Sequence, residues 1–208
     1  MSRGGAADPR AGVRRRMATA VLLVLGVAGC ASDAQKISAI DAVNQGFRSE
    51  YEKQLAERGT RTYRVSAAEA FVAMRVALAE LGMRTEQAEP TLGHIAVAGD
   101  APLPLSEREW KDASQVDLPF LRRLIEPHVG AAASFVQFEP QGLDVVINAT
   151  FLDGPAGTDV SLTVRLRERA PPRSGWPRRE YVGPQLVRVG MEKIFAAFER
   201  NLPASARR

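Results

Sequence analysis

The chain has 208 residues and a formal net charge of +4. Its 45% hydrophobic and 25% charged residues are typical of a globular protein. Five arginines and one aspartate lie in residues 1–29, so the rest of the chain carries 23 basic and 23 acidic residues and is neutral. A nucleic-acid-binding function inferred from overall basicity is therefore excluded. The single cysteine excludes an intramolecular disulfide framework, and the length suits one domain with an arm.

The N-terminus has the three-part pattern of an export signal. Three arginines at residues 14–16 precede a mostly apolar run over residues 17–28, which ends in small residues directly before Cys30. As a helix this run would be about 18 Å long. A membrane-spanning helix needs roughly 20 residues, or about 30 Å. The pattern predicts a cleaved signal peptide over residues 1–29. The alternative, a buried core helix, does not explain the arginine block.

The four residues Val27, Ala28, Gly29 and Cys30 resemble the lipobox of bacterial lipoproteins, in which apolar and small residues precede the cysteine. The resemblance implies that the signal is cut before Cys30, that its thiol carries a diacylglycerol and that its new amino group is acylated. Ala31 stands where an aspartate favours retention in the inner membrane of enterobacteria. The implied location is the periplasmic face of the outer membrane, with the inner membrane as the alternative. The acyl chains make the membrane the implied partner.

Residues 30–60 are expected to form the lipidated N-terminus and a helical arm. Apolar residues recur near helical spacing through residues 37–55, and Gly59 is a plausible stop. We expect this arm to pack on its own domain. A partner-binding or coiled-coil role is the alternative, although the spacing is not sustained for three heptads.

The domain proper is expected over residues 61–202. Ser66 and Glu69 form a capping box, in which each side chain satisfies a free backbone N–H of the other residue. The helix that follows should run to Leu81 and bury Phe71 and Leu78. A final helix should begin at residues 183–184, where a proline follows a glycine, and a disordered tail should occupy residues 203–208.

The strands are predicted from alternation and turn residues. Short strands are expected at residues 61–65, 83–88, 94–98 and 135–138, and residues 143–151 and 160–166 should form a hairpin. Residues 101–130 form a proline-broken insertion. We expect two short helices there, one capped by Ser106 with Glu109 and one begun by Asp117 ahead of Pro119.

This order of elements predicts an α+β fold. It is a two-layer antiparallel sheet with two main helices on one face, preceded by the helical arm. Within it, residues 63–97 contain the pattern strand, VSAAEAF, helix, ALAELGM, strand, GHIAV. This pattern resembles the repeat unit of BamC-type accessory lipoproteins of the outer-membrane assembly machinery. That resemblance implies a helix-grip domain behind a lipidated arm, here present once rather than twice.

The sequence offers little for catalysis, so no catalytic residue, metal site or cofactor is expected. It has two histidines, His94 and His128, and none of the common nucleophile, phosphate-loop or dinucleotide motifs. A metal site would need three or four ligands. Both histidines are therefore interpreted as surface or capping residues. The carboxylates of Glu107, Glu109 and Asp112 are interpreted as a solvated first helical turn.

A group of arginines is the candidate partner site. On the second hairpin strand Arg165, Arg167 and Arg169 should share one face at about 7 Å spacing. Arg178 and Arg179 follow in a loop around Trp176. Such a strip could meet acidic lipid headgroups, an anionic cell-wall polymer or an acidic protein. The alternative is a solvent-facing strand kept soluble by its charges.

These observations predict a non-enzymatic, lipid-anchored lipoprotein of the bacterial envelope that serves as an interaction or accessory module. Its partners would be the membrane, through the acyl chains on Cys30, and an envelope protein, with no nucleic acid. The alternative is a helix-grip module that binds an apolar ligand or lipid between sheet and helix. A filled sheet–helix interface would favour the first and an open apolar cavity the second. A hydrolase of cell-wall or lipid substrates is disfavoured.

Overall fold

The computed structural model describes residues 31–204. The expected signal peptide, Cys30 and residues 205–208 of the expected tail lie outside these residues. The described chain contains four α-helices, five β-strands and two short 3-10 turns, at Pro90–Leu92 and Gly130–Phe135. In chain order the helices and strands are α1 Asp33–Arg58, β1 Thr60–Tyr63, α2 Ala67–Glu80, β2 Arg84–Glu89, β3 His94–Asp100, α3 Glu107–Val129, β4 Leu143–Gly154, β5 Gly157–Glu168 and α4 Pro184–Asn201.

The strands form one antiparallel sheet in the order β1-β5-β4-β3-β2, and α2 and α4 cover one of its faces. The β4–β5 hairpin is the centre of the sheet, and its apolar residues alternate as predicted. Its inward-facing side chains, from Leu143 to Phe151 on β4 and from Val160 to Leu166 on β5, are buried at every second position. The α+β class with an antiparallel sheet and helices on one face is confirmed.

Three of the four helices begin with a capping box. The predicted boxes at Ser66 and Ser106 are both present, and a third at Ser32 begins α1. In each box the serine hydroxyl accepts from the backbone N–H three residues later, and the glutamate or glutamine there accepts from the serine N–H. The boxes fix where these helices start because they satisfy N–H groups that have no partner inside the helix.

The prediction of two short helices in the insertion is wrong, because α3 runs unbroken from Glu107 to Val129 with Pro119 and Pro127 inside it. Its buried side chains form one stripe that passes from Trp110 through Leu121 to Ile125. Since α3 packs on both α1 and α4, tertiary burial outweighs the hydrogen bond that Pro119 cannot make.

The predicted strand at residues 135–138 is also wrong. The chain forms a 3-10 turn at Gly130–Phe135 and then runs without strand pairing to β4. Val136 is fully buried and Phe138 packs on Phe47, with ring centroids 5.9 Å apart. Its alternating apolar residues therefore reflect packing against helices rather than a place in the sheet.

Helix α1, its C-cap and the segment before α4 together complete the sheet edge that β1 leaves open. β1 pairs with β5 only as far as Ser161. Beyond it the backbone N–H groups of alternate β5 residues donate to other segments: Leu162 to the Gly59 carbonyl at 2.7 Å, Val164 to the Tyr51 hydroxyl at 3.3 Å and Leu166 to the Glu180 carbonyl at 3.2 Å. An uncovered strand edge would be a template for aggregation. Helix α1 is thus part of the domain and not a detached arm.

Candidate functional site

The expected anchor is joined to the folded domain by a very short connection. The lipobox residues Val27, Ala28, Gly29 and Cys30 precede the described part of the chain, which starts at Ala31. Helix α1 begins at Asp33 with Ser32 as its cap, so only two residues separate Cys30 from the helix. The three Cα–Cα steps from Cys30 to Asp33 span about 10 Å at most. Whatever is attached to Cys30 is therefore held within that distance of the first turn of α1.

Helix α1 is fixed to the domain by its buried face. Ala39, Phe47 and Tyr51 are buried. Phe47 stacks on Phe120 of α3 with ring centroids 5.8 Å apart. Gly46 lies so close to α3 that an added Cβ would be 2.6 Å from Leu124 Cδ1. Because the two helices are in direct contact, an anchor at Cys30 would constrain the orientation of the whole domain.

The first arginine of the predicted strip is held by two tyrosines. The Arg165 guanidinium lies 5.4 Å from the ring of Tyr51 and 4.9 Å from that of Tyr181, and it donates to the Tyr181 hydroxyl at 3.1 Å. The two rings are in edge contact with centroids 5.6 Å apart. Burial raises the pKa of Tyr51. Arg165 therefore helps to fasten α1 and the segment before α4 to β5.

The next two arginines share a carboxylate. Arg167 Nη2 lies 3.3 Å from Asp144 Oδ2 and also binds Glu86 on β2. Arg169 Nε lies 2.8 Å from Asp144 Oδ1, and its Nη2 lies 2.8 Å from Asp100. Burial acts to raise the pKa of Asp144, but the hydrogen bonds from Arg169 and Arg167 hold it below its usual value. These ion pairs link β5 and the residue after it to β4, β3 and β2 across the outer face of the sheet.

The loop arginines are placed apart from that network. Arg179 forms a part-buried ion pair with Glu168. Arg178 is exposed, and its backbone carbonyl accepts a hydrogen bond of 2.7 Å from the Asn44 amide of α1. The structure thus brings Arg165, Arg167 and Arg169 onto one face as predicted and gives each a contact inside the protein. Binding of an anionic partner by the strip stays a prediction.

The other candidate polar residues have structural contacts. His94 begins β3 opposite Thr150, and His128 lies in the last turn of α3. Glu109 caps α3 and pairs with Lys193, whose hydrogen bond lowers the pKa of Glu109 to about 2. Over residues 31–204 no group of three or more histidine, cysteine or carboxylate side chains is placed to hold a metal ion. Within the same range no helix is long and apolar enough to cross a membrane.

Two hollows border α3. A polar cleft of about 810 Å³ lies between α3 and residues 137–141, and its charged lining residues balance: Glu107 and Glu139 against Lys111 and Arg122. A much smaller apolar cavity of about 40 Å³ lies between α1, α3 and the hairpin. Ala39, Val43, Leu121, Leu143 and Tyr181 are among the residues around it.

Asp117 is the polar residue whose role the sequence did not reveal. It was expected to begin a short helix, but it lies inside α3 and is buried. Its Oδ1 accepts from the backbone N–H of Gln185 at 2.9 Å and its Oδ2 from that of Leu186 at 3.2 Å. Asp117 therefore caps α4 from another helix. Its only signal in the sequence is an acidic residue among the apolar positions of the α3 stripe.

In comparisons with known proteins, no family model, no curated protein and no solved structure matches this chain. The class of protein is accordingly the one that the fold defines, an α+β domain of one antiparallel sheet with helices on one face.

Proposed function

We propose that this protein is a lipid-anchored envelope lipoprotein that faces the periplasm and acts as a non-enzymatic interaction or accessory module. Acyl chains on Cys30 hold it in the membrane, with the outer membrane as the favoured location because Ala31 follows the cysteine. The BamC-type pattern of residues 63–97 supports an accessory role in the envelope.

The observation that carries this proposal is the continuity between lipobox and domain. A signal-like apolar segment ends at Cys30, and the capped first turn of α1 starts three residues later. Because α1 is packed on α3 and its Tyr51 binds the edge of β5, the anchor would constrain the orientation of the domain to the membrane. Such an arrangement suits a protein that positions a surface for partners.

The close packing of the core favours an interaction module over a module that encloses an apolar ligand. The side chains between the sheet and α2 and α4 are fully or almost fully buried, including Met74, Ile147, Leu162 and Phe195. The apolar cavity of about 40 Å³ has room for at most about three water-sized groups, less than a lipid chain needs. The most perturbed carboxylates, Asp117 and Glu109, serve as helix caps and ion-pair partners.

The proposal is tested in cells that have an outer membrane. The parent and the Cys30→Ser variant are grown with a clickable fatty acid, and their inner and outer membranes are separated by density. The parent should carry the fatty acid and sediment with the outer membrane, whereas the variant should lose the label and persist as a precursor or become soluble. Val116→Ala, which changes an exposed residue of α3, is the control and should behave like the parent.

A parent protein without fatty acid, or a variant that is processed and membrane-bound like the parent, would contradict the proposal. Fatty-acid labelling with inner-membrane sedimentation would retain the lipoprotein class and move the protein to the alternative location.

A further inference from the structure

We infer that the 3-10 turn Gly130–Phe135, hereafter the tip turn, is a second membrane-contact site, which places Phe135 in the lipid headgroup region beside the anchor. This inference rests on the proposed function, since it assumes that Cys30 is acylated. It adds a contact made by the folded domain itself, which would set how the domain stands on the bilayer.

The tip turn lies at the end of the molecule where α1 begins. Helices α1 and α3 are antiparallel, because α1 runs along α4 in the same direction and α3 runs along it in the opposite one. Four contacts with α4 and the segment before it show these directions: Asn44–Arg178 and Arg58–Glu192 for α1, Asp117–Leu186 and Glu109–Lys193 for α3. The C-terminus of α3 therefore points towards the residues that follow Cys30.

The chain reverses direction at the tip turn. α3 ends at Val129, and after the turn Phe138 packs back against Phe47 and Trp110, with ring centroids 5.9 Å and 6.0 Å apart. Since Phe47 also stacks on Phe120, the chain has returned by Phe138 to the level of Phe120. The tip turn lies between Phe120 and Phe138 in the chain and is therefore the part of this segment farthest from their level.

Helix geometry gives the height of the tip turn relative to the anchor. From the level of Phe47 and Phe120, Asp33 is about 21 Å away along α1 and Gly130 about 15 Å away along α3, at 1.5 Å per residue. The chain from Asp33 to Cys30 adds at most about 10 Å. The tip turn therefore lies roughly 6–16 Å from the level of the anchor. A headgroup region several ångströms thick, the length of a phenylalanine side chain and a tilt of α1 can close this gap.

The chemistry of the tip turn suits a lipid surface. Its sequence, GAAASF, has no charged side chain. Phe135 is 71% exposed, the largest exposed aromatic side chain among the described residues, while Ala133 and Val136 are buried and hold the turn in place. An exposed phenylalanine on a fixed backbone gains free energy when it enters the interface, and it loses little conformational entropy in doing so.

The test uses the full, lipidated chain in vesicles of phosphatidylethanolamine and phosphatidylglycerol. Phe135→Cys is labelled with an environment-sensitive fluorophore, since acylation leaves Cys30 without a reactive thiol. Leu152→Cys is the matched control. Leu152 is 68% exposed, and it lies nine residues along β4 from Leu143, which borders the cavity beside α1. At about 3.3 Å per residue, the control label is about 30 Å from Leu143 along β4.

The label at position 135 should be shielded from aqueous iodide and quenched by nitroxide on the lipid chains. The label at position 152 should be quenched by iodide and not by the nitroxide. Equal iodide access at both positions, with the fatty acid present on Cys30, would overturn the tip-turn contact and leave the proposed function standing. Absence of the fatty acid together with loss of vesicle binding would overturn both.

Discussion

Gly183 leaves the space that the buried carboxylate of Asp117 occupies, since a Cβ at position 183 would overlap Asp117 Oδ2. The carboxylate binds the first free N–H groups of α4, just after this glycine. Two helices that begin 77 residues apart are thus joined at one point, where α3 supplies the cap and α4 supplies the glycine that admits it.

Gly183→Ala should destabilise the domain. The added methyl group displaces Asp117 and leaves the N–H groups of Gln185 and Leu186 without their acceptor, a loss of about 2–4 kcal/mol. The matched control is Gly190→Ala in the same helix, where the added Cβ meets nothing within 4 Å. That change should stabilise the domain by up to about 1 kcal/mol, because alanine favours helix. Urea unfolding of both variants measures the difference, and equal stabilities would contradict this account of α4.

Asp117 should make stability fall as the pH rises from about 4 to 6. Burial is the largest influence and raises the pKa of Asp117 to about 6, against the effect of its two N–H donors. The folded state then holds a proton that the unfolded state releases near pH 3.8, so ionisation costs the folded state about 3 kcal/mol across this window. Above pH 6 the contribution is constant.

Asp117→Asn removes this titration while keeping one acceptor oxygen. The difference in unfolding free energy between parent and variant should therefore shift in favour of the variant as the pH rises from 4 to 6. Carboxylates whose pKa is lowered, such as Glu86 and Asp144, also make stability depend on pH. Their contribution is the same in parent and variant, so it cancels in this difference. If the difference in unfolding free energy does not vary with pH, the folded state does not keep Asp117 protonated above the pH at which the unfolded state releases its proton.

The α2 helix was predicted from local signals, and its burial allows a sharp test. Leu78→Ala should cost about 2–5 kcal/mol, because Leu78 is 1% exposed beneath the sheet-facing side of α2. Val76→Ala on the same helix, at a 40% exposed position, should change stability little. Ser66→Ala should cost about 1 kcal/mol by removing the cap. Similar melting temperatures for Leu78→Ala and Val76→Ala would show that the register of α2 is wrong.

The arginine strip can be tested for structural and binding roles together. Replacing Arg167 and Arg169 by Gln removes both cations from Asp144, which is 8% exposed, and should destabilise the sheet by about 1–3 kcal/mol. Arg75→Gln, at an exposed position of α2 outside this group of arginines, is the control for charge. If the strip binds an anionic surface, this variant should be retained less than the parent on isolated cell wall at low salt. At high salt the two proteins should be retained equally. Unchanged retention at low salt would restrict Arg167 and Arg169 to their structural role.

The parts of the fold that the sequence predicted depend on local patterns. Alternation along the hairpin and the serine boxes at Ser66 and Ser106 each act within one element, so their signal survives in the sequence. The contacts of Tyr51 with Val164 and of Asp117 with Leu186 join residues 113 and 69 positions apart, and no local pattern encodes such pairings. The sequence predicts a helix start at Asp117 because an acidic residue shortly before a proline is typical of one.

The arginine strip shows the same limit at the candidate site. The period of two predicts one face for Arg165, Arg167 and Arg169, and in the structure Arg167 and Arg169 do meet at Asp144. The carboxylate partners of Arg167 and Arg169 lie on β2, β3 and β4, and the register that brings them together arises only in the assembled sheet. The tip turn likewise depends on the antiparallel packing of α1 and α3.

The most direct test of the central claim is the mass of the N-terminal tryptic peptide of the mature protein purified from membranes. Trypsin cuts after Lys36, so the account predicts a peptide of residues 30–36 that starts at Cys30 and carries a diacylglycerol and an N-linked acyl chain. In the Cys30→Ser variant this peptide should disappear. A peptide from the parent that includes residues before Cys30, or one that starts at Cys30 without acyl groups, would contradict the lipid anchor.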